Sequence, residues 1–505
     1  MAQDSEAAAG FTPPAAATRE ATTSEAASGG TSADGETRLS GHMGTFDIVF
    51  TVLAFNAPMS VFVGFITVIV GYGNGLGTPV TYLGCGALIA LFAVGFAAMS
   101  RRLPNPGAFY AYITAGLGRP LGLGAAFVAL VSYLFILIGG YAFGGISWQA
   151  LVHNVFGGPD LPWYLYTAVA MVAVAVLGYF RIQLSARILT TCMCGEVLLM
   201  VAYDTVVFFR GGAHGVNVQS FLPSSVMSGS IGLAVLFGVV CFSGFEATAI
   251  FREEARDPER TIPRATYLAV ALLAVLYAVT SWAMIIGIGV GDVVQKSAAD
   301  PTGTALATAL EYLGKVGQDV ITVLLCTSIL AANLATHNVS TRYTYSLSFD
   351  RILPKFLSVV HRTEMSPHRA SMATTVISLA SLLACVVFKG DGATLYAVLV
   401  GIGGYSLILL LLLTSASVVA YFRRDRDHDV NVWKSVVAPA LACVGLLVAF
   451  VLATQNVALL IGGDQGLADL LIGLFAGLLL LGVVVALVLR SKKPDIYRRI
   501  GRQDL

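Results

Sequence analysis

Charge is what this chain has least of. Asp, Glu, Lys and Arg together make up 12% of its 505 residues, while 56% are hydrophobic. Soluble domains run at about 25% charged and 45–50% apolar, so a water-soluble globule is excluded. The net charge is only +1, which gives no electrostatic basis for holding nucleic acid. Cysteine occurs seven times, at Cys85, Cys192, Cys194, Cys241, Cys326, Cys385 and Cys443, but in no CxxC or Cys/His spacing that would hold a metal. All seven lie in or beside apolar runs and read as small core hydrophobes. HExxH, GxSxG and Asp-Asp-x-x-Asp constellations are also missing, which argues against a membrane enzyme. No GxxxxGK[ST] phosphate loop is present, which argues against an ATP-driven pump. No cofactor is expected.

What the chain does have is long apolar runs. Residues 1–45 are rich in Ala, Thr, Ser, Gly and Glu and are expected to form a disordered tail. They contain no apolar h-region and so do not read as a secretory leader. From Phe46 onward, hydropathy marks about twelve spans: 47–70, 82–100, 121–150, 162–180, 186–209, 226–251, 265–290, 317–346, 370–388, 393–421, 434–454 and 467–490. Each approaches the ~20 residues a helix needs to cross a bilayer. Of the thirty Lys and Arg residues, twenty-four fall in the C-terminal stretch and the loops on one side, four fall in the loops on the other, and two lie in the tail. The positive-inside rule places both termini in the cytoplasm of a cell-membrane protein.

Two of the spans are interrupted. Asn56-Ala57-Pro58-Met59-Ser60 lies near the middle of the first, where Pro58 cannot donate to the helix ladder. The sixth carries Phe242-Ser243-Gly244-Phe245-Glu246, a weak point for helix followed by a carboxylate at membrane depth. Two broken segments five spans apart are the strongest sequence pointer to a transporter site. The fifth span holds Arg187 near its end and Glu196 well inside. Glu196 reads either as a proton or ion-pair relay or as a carboxylic acid bonded to a neighbouring helix. The third span carries Gly139, Gly140, Gly144 and Gly145 around Tyr141. The glycines suit close helix packing, and Tyr141 is a candidate cavity residue. His337 in the eighth span reads as a core histidine.

The sixth span and the loop after it, with Phe242-Ser243-Gly244-Phe245-Glu246, Glu254 and Pro258-Glu259-Arg260-Thr261-Ile262-Pro263, resemble the sixth membrane helix and adjoining loop of the amino acid–polyamine–organocation permeases. Pro104-x-x-Gly107-x-x-Tyr110 with Leu117-Gly118 is similar to that family's loop between helices two and three. Arg342, Tyr343 and Asp350-x-x-Leu353-Pro354 are similar to its exit from helix eight. The chain departs from the pattern in lacking the Gly-x-Gly of the first helix. The resemblance covers roughly residues 46–490.

That resemblance implies an all-α integral membrane protein of about twelve helices with a 5+5 inverted-repeat, sodium-symporter-like core and broken helices one and six. It divides the chain into the tail 1–45, a ten-helix core 46–421, two additional helices 422–490 and a basic cytoplasmic stretch 491–505 lying against anionic headgroups. The implied function is a secondary carrier for amino acids, with polyamines or other organocations as the alternative. Backbone atoms at Ala57, Pro58, Met59, Ser60, Ser243 and Gly244 are expected to meet the substrate, with Phe242 and Phe245 as its apolar wall. Glu246 is expected to cap the broken segment rather than bind a cation. Coupling is to H+ or Na+, with protons favoured, and Arg187, Glu196, Asn333 and Thr336 are the candidate coupling residues. The expected partners are a small-molecule substrate and membrane lipid.

Overall fold

The structure, a computed structural model, describes residues 45, 48, 49, 53, 56–103, 108–180, 186–244, 257–361, 366–388, 390–425 and 430–501. The expected N-terminal tail lies outside them except for residue 45. Helix is the regular structure of the described residues, with no strand among them. Among them, nine helices are long and apolar enough to cross a membrane, and three more are shorter and apolar. Together they coincide with the twelve spans read from hydropathy.

Helix α1 is Pro58–Tyr72 and opens directly after Ala57, whose backbone is left-handed at φ 48° and ψ 67°. Its second turn, Val61–Phe65, is π-helical. There follow α2 (Thr78–Ser100), the short α3 (Ala108–Leu117), α4 (Arg119–Ala150), α5 (Trp163–Tyr179) and α6 (Ala186–Arg210). Helix α7 is Ile231–Val240, well short of the expected 226–251. Next come α8 (Pro258–Ile288), α9 (Val293–Ala299) and α10 (Thr304–Phe349). The last four spans and the C-terminal turn are α11 (His368–Val387), α12 (Gly392–Arg424), α13 (Ala438–Leu460), α14 (Gln465–Lys492) and α15 (Pro494–Arg499).

Helix α4 is the pillar of the bundle, packed on α12, α14, α10 and α5. Its glycines allow this. A Cβ on Gly139 would stand 2.7 Å from Val400, one on Gly140 would press on Asn333, and one on Gly145 would meet Trp163 O at 2.6 Å. Gly124 and Gly482 let the backbones of α4 and α14 touch. Small residues at such crossings let helices gain dispersion contact where lipid supplies no hydrophobic drive. Large apolar side chains such as Val172, Leu198, Val376 and Leu470 point outward, as a lipid-facing surface requires.

Two expectations about connecting segments are corrected. The stretch Pro258–Pro263, read as a loop, forms the first turns of α8. Proline is tolerated at the first helical position because its missing N–H would have no partner there anyway. The segment between the seventh and eighth spans carries a short helix. It folds α9 over the end of α1, where Tyr72 Oη donates to Ala298 O at 2.9 Å and Thr67 donates to Pro301 O. The C-terminal basic stretch does not simply lie along headgroups. Ile500 is fully buried, Gly501 N–H donates to Tyr110 Oη at 2.8 Å, and Tyr110 donates to Asp350 at 2.8 Å. Arg119 also stacks over the Tyr497 ring at 5.6 Å. Residues 494–501 therefore dock against α3, α4 and the end of α10, because an apolar Ile and a buried tyrosine hydroxyl are better satisfied there than at a water interface.

Candidate functional site

The site begins with the strained turn at Ala57. A non-glycine residue in the left-handed region costs roughly 1–2 kcal/mol, and the surroundings hold it in place. Ala57 O accepts from Ser60 N–H at 2.9 Å, from Ser60 Oγ at 2.7 Å and from Val61 N–H at 3.3 Å. Pro58 has no N–H, so Met59 offers the one N–H of this first turn that points away from its own helix. Glu196 Oε2 accepts it at 3.0 Å. The same oxygen accepts from Ser328 Oγ at 3.0 Å. Glu196 is 3% exposed, and one of its oxygens ties α6 to the half-helix α1 and to α10. An isolated carboxylate in such a place would be expensive. Two donors and the positive end of a helix dipole offset much of that cost.

The second break lies where the sequence places it. Phe242 N–H and Ser243 N–H reach back only three residues, to Val239 O and Val240 O, and Ser243 Oγ also donates to Val240 O at 2.7 Å. The chain then turns through Gly244 at φ 104°, a conformation open to glycine and strained for other residues. Phe245, Glu246 and Glu254 lie outside the described residues.

Between the two breaks stands a wall of rings. Phe242 is fully buried, with its ring 6.1 Å from Tyr277, and Tyr277 is 5.4 Å from Tyr82. Tyr82 Oη lies 3.8 Å from Cys241 Sγ. Phe62 on α1 stands 5.0 Å from Tyr203. Tyr396 stacks on Phe143 at 4.4 Å and meets Phe65 edge-on at 5.6 Å. The hydroxyls of Tyr277 and Tyr396 are buried with no hydrogen-bond partner among the described residues. Gly64 faces Tyr396, and a Cβ there would lie 2.7 Å from the hydroxyl.

Other candidates are placed elsewhere. Tyr141 is turned away from both breaks, into a small cluster with Leu137, Met171, Val174, Leu334 and Leu382. The cause is its position on α4, where the side facing α5 and α11 carries it into that second apolar layer. Arg187 lies on the first turn of α6, nine residues and hence roughly 13 Å along the helix from Glu196. Asn333 packs against Gly140 and Gly144 of α4. Thr336 Oγ1 donates within its own helix, to Ala332 O at 2.9 Å. Neither is brought to Glu196; Ser328, from the same span, is. His337 is fully buried beside Ser371, Nε2 to Oγ 2.9 Å. One acid in the fifth span, Asp204, is not singled out by the sequence. This second buried carboxylate of α6 accepts from Thr280 Oγ1 at 2.9 Å through Oδ2, and its Oδ1 has no partner among the described residues. The rule that singles out Glu196, an acid inside an apolar run, would have found it.

On the face opposite the Arg-rich loops, a cleft of about 590 Å³ opens between the ends of α1, α12 and α13 and the segment after α9. Tyr72, Gln149, Trp163, Phe237, Asp300 and Asp391 are among the residues lining it.

A bundle of helices of membrane-spanning length and composition, with a left-handed turn opening its first half-helix, a positive-φ glycine ending its sixth, and a buried carboxylate tied to the first, fits a multi-pass carrier rather than an enzyme. The amino acid permease family model matches residues 48–498, nearly the whole described chain, and the protein belongs to that family. It is 27% identical over 358 residues to an uncharacterised transporter of Mycobacterium tuberculosis, covering 66% of this chain and 76% of that one. It is 24% identical over 343 residues to the low-affinity putrescine importer of Escherichia coli, covering 67% and 73%. It is 26% identical over 315 residues to the human cystine/glutamate transporter, covering 61% and 60%.

Proposed function

We propose that this permease carries a small amine-bearing solute, an amino acid or a polyamine, across the cell membrane by alternating access, coupled to protons through Glu196. Both termini lie in the cytoplasm, as the Lys/Arg bias argues. The observation that carries the reading is the convergence of Met59 N–H and Ser328 Oγ on one Glu196 oxygen. Ionised, Glu196 accepts both bonds and holds α6, α1 and α10 together. Protonated, it carries a donor of its own and attracts the α1 dipole less. A proton at Glu196 therefore loosens the half-helix, and its loss re-engages it. Two discrete states of one element are what coupling requires.

Names of relatives support amines and amino acids as the solute class, since one imports putrescine and another carries cystine and glutamate. Counterflow in proteoliposomes tests the carrier reading, because only a carrier exchanges labelled for unlabelled solute. Uptake that a protonophore abolishes and sodium replacement leaves intact is the expected result for coupling. Uptake that needs sodium and ignores a collapsed pH gradient would refute it.

A further inference from the structure

We infer that the solute carried has net positive charge and is bound by its ammonium group, with Glu196 as the residue that sets this specificity. The inference rests on the carrier reading above and selects within it.

The first observation is an inventory of the half-helix α1. The N-terminus of a helix is a ready anion site, because its first N–H groups lack partners and its dipole is positive there. A zwitterion would bring its carboxylate to such a place. Here the place is taken from within. Pro58 has no N–H, Ser60 and Val61 donate to Ala57 O, and Met59 donates to Glu196. No N–H of this first turn is left for a substrate carboxylate. A solute anion would also have to sit beside the Glu196 carboxylate, where like charges in a dry site repel strongly. Among the described residues, both hydrogen bonds of Glu196 end on Oε2, and Oε1 carries none.

The second observation is independent of the helix end. Tyr277 is fully buried and Tyr396 is 3% exposed, yet neither hydroxyl has a partner among the described residues. A buried polar atom without a bond demands an explanation. Tyr277 lies within electrostatic reach of Glu196, and Tyr82, Tyr277 and Tyr396 all neighbour Cys241 at the second break. Phenol oxygens accept hydrogen bonds and ring faces attract cations. A carboxylate with one oxygen unbonded and Tyr277 within reach matches an ammonium group and no part of an anion.

The third observation is the approach. The charged residues lining the cleft, among those described, are Asp300 and Asp391, with neither Lys nor Arg. Both accept from helix or turn N–H groups, Gly303 and Thr394 respectively. Val68 lines the cleft one turn above Gly64, and Phe237 in its wall is 6.3 Å from Phe65, which in turn touches Tyr396. Ring contacts thus join the wall of the cleft to Tyr396, and an acidic mouth concentrates cations.

The test uses the full chain in proteoliposomes, with labelled putrescine, lysine, leucine and glutamate in counterflow, and direct calorimetric titration of the purified protein with putrescine. Putrescine, lysine held by its side-chain ammonium with its carboxylate away from Glu196, or both are expected to exchange, and leucine and glutamate to fail. Glu196→Gln keeps an acceptor for Met59 N–H and the side-chain shape, so it should fold. It should raise the cation KM by about tenfold to a hundredfold, the range for losing a charge-assisted contact. Tyr277→Phe and Tyr396→Phe, which remove only a hydroxyl, should raise it less. Leucine exchanging as well as putrescine, no binding of putrescine together with no exchange of lysine, or a Glu196→Gln protein with unchanged cation KM would each overturn the inference. If leucine exchanges and neither cation does, the charge selection has failed and the carrier reading stands. If no solute exchanges, the carrier reading itself has failed.

Discussion

Ser328→Ala isolates the joint between α10 and Glu196. The substitution deletes one hydroxyl that donates to Oε2 at 3.0 Å and leaves a small residue already favoured at helix crossings. Ser328 is 4% exposed and Glu196 3%, so water does not replace the lost donor freely. A hydrogen bond to a charged group contributes about 1.5–3 kcal/mol, and the Met59 N–H bond remains. The expected loss of stability is therefore about 2 kcal/mol if Glu196 is ionised, with a smaller loss if it is protonated. The assay is thermal unfolding of the purified protein at two pH values. The destabilisation should be larger at the higher pH, where the carboxylate needs its donors, and should shrink as protonation removes that need. A double-mutant cycle with Glu196→Gln supplies the check, because residues in one network couple by about 0.5–3 kcal/mol. Effects that add within about 0.5 kcal/mol, at every pH, would show that Ser328 and Glu196 do not act together. The three-helix joint would then be an incidental contact.

Ala57→Gly should raise the unfolding temperature by a few degrees, because it relieves about 1–2 kcal/mol of left-handed strain; a lowered temperature would mean that the strain is absent. Gly244→Leu forces a side chain onto a backbone at φ 104° and should abolish uptake while membrane insertion persists. Gly473→Leu, where a Cβ meets open space, is the control and should leave uptake unchanged. Tyr110→Phe deletes the hydroxyl that joins Asp350 to Gly501. It should free the C-terminal segment to proteases about fivefold to a hundredfold faster, as loss of about 1–3 kcal/mol implies. Reporter fusions after residues 160 and 300 should read outside and a fusion after 360 inside; a cytoplasmic reading at 300 would overturn the span order.

The sequence was sufficient for whatever depends on local composition. Apolar runs of bilayer length located every span, since each must satisfy its own backbone within lipid. Pro58 located the first break to within a residue of Ala57, because a missing N–H acts where it stands. The pair Ser243-Gly244 did the same for the second, where the backbone turns at a positive φ. Glu196 was marked as significant by its cost in hydrocarbon alone.

What Glu196 does there was decided only by the tertiary structure. Met59 is 137 residues away in the chain and Ser328 is 132 away, and no periodicity links them. The eighth span offers Ser328, Asn333 and Thr336 as similar oxygen donors, and only helix rotation selects Ser328. Tyr141 was lost to the site for the same reason, since its side of α4 belongs to another layer. The tyrosine wall draws Tyr82, Tyr277 and Tyr396 from three different helices, and the C-terminal segment reaches Tyr110 across 391 positions. One residue's chemistry can be read where it stands, but a site made by packing distant helices appears only once the packing has chosen which faces meet.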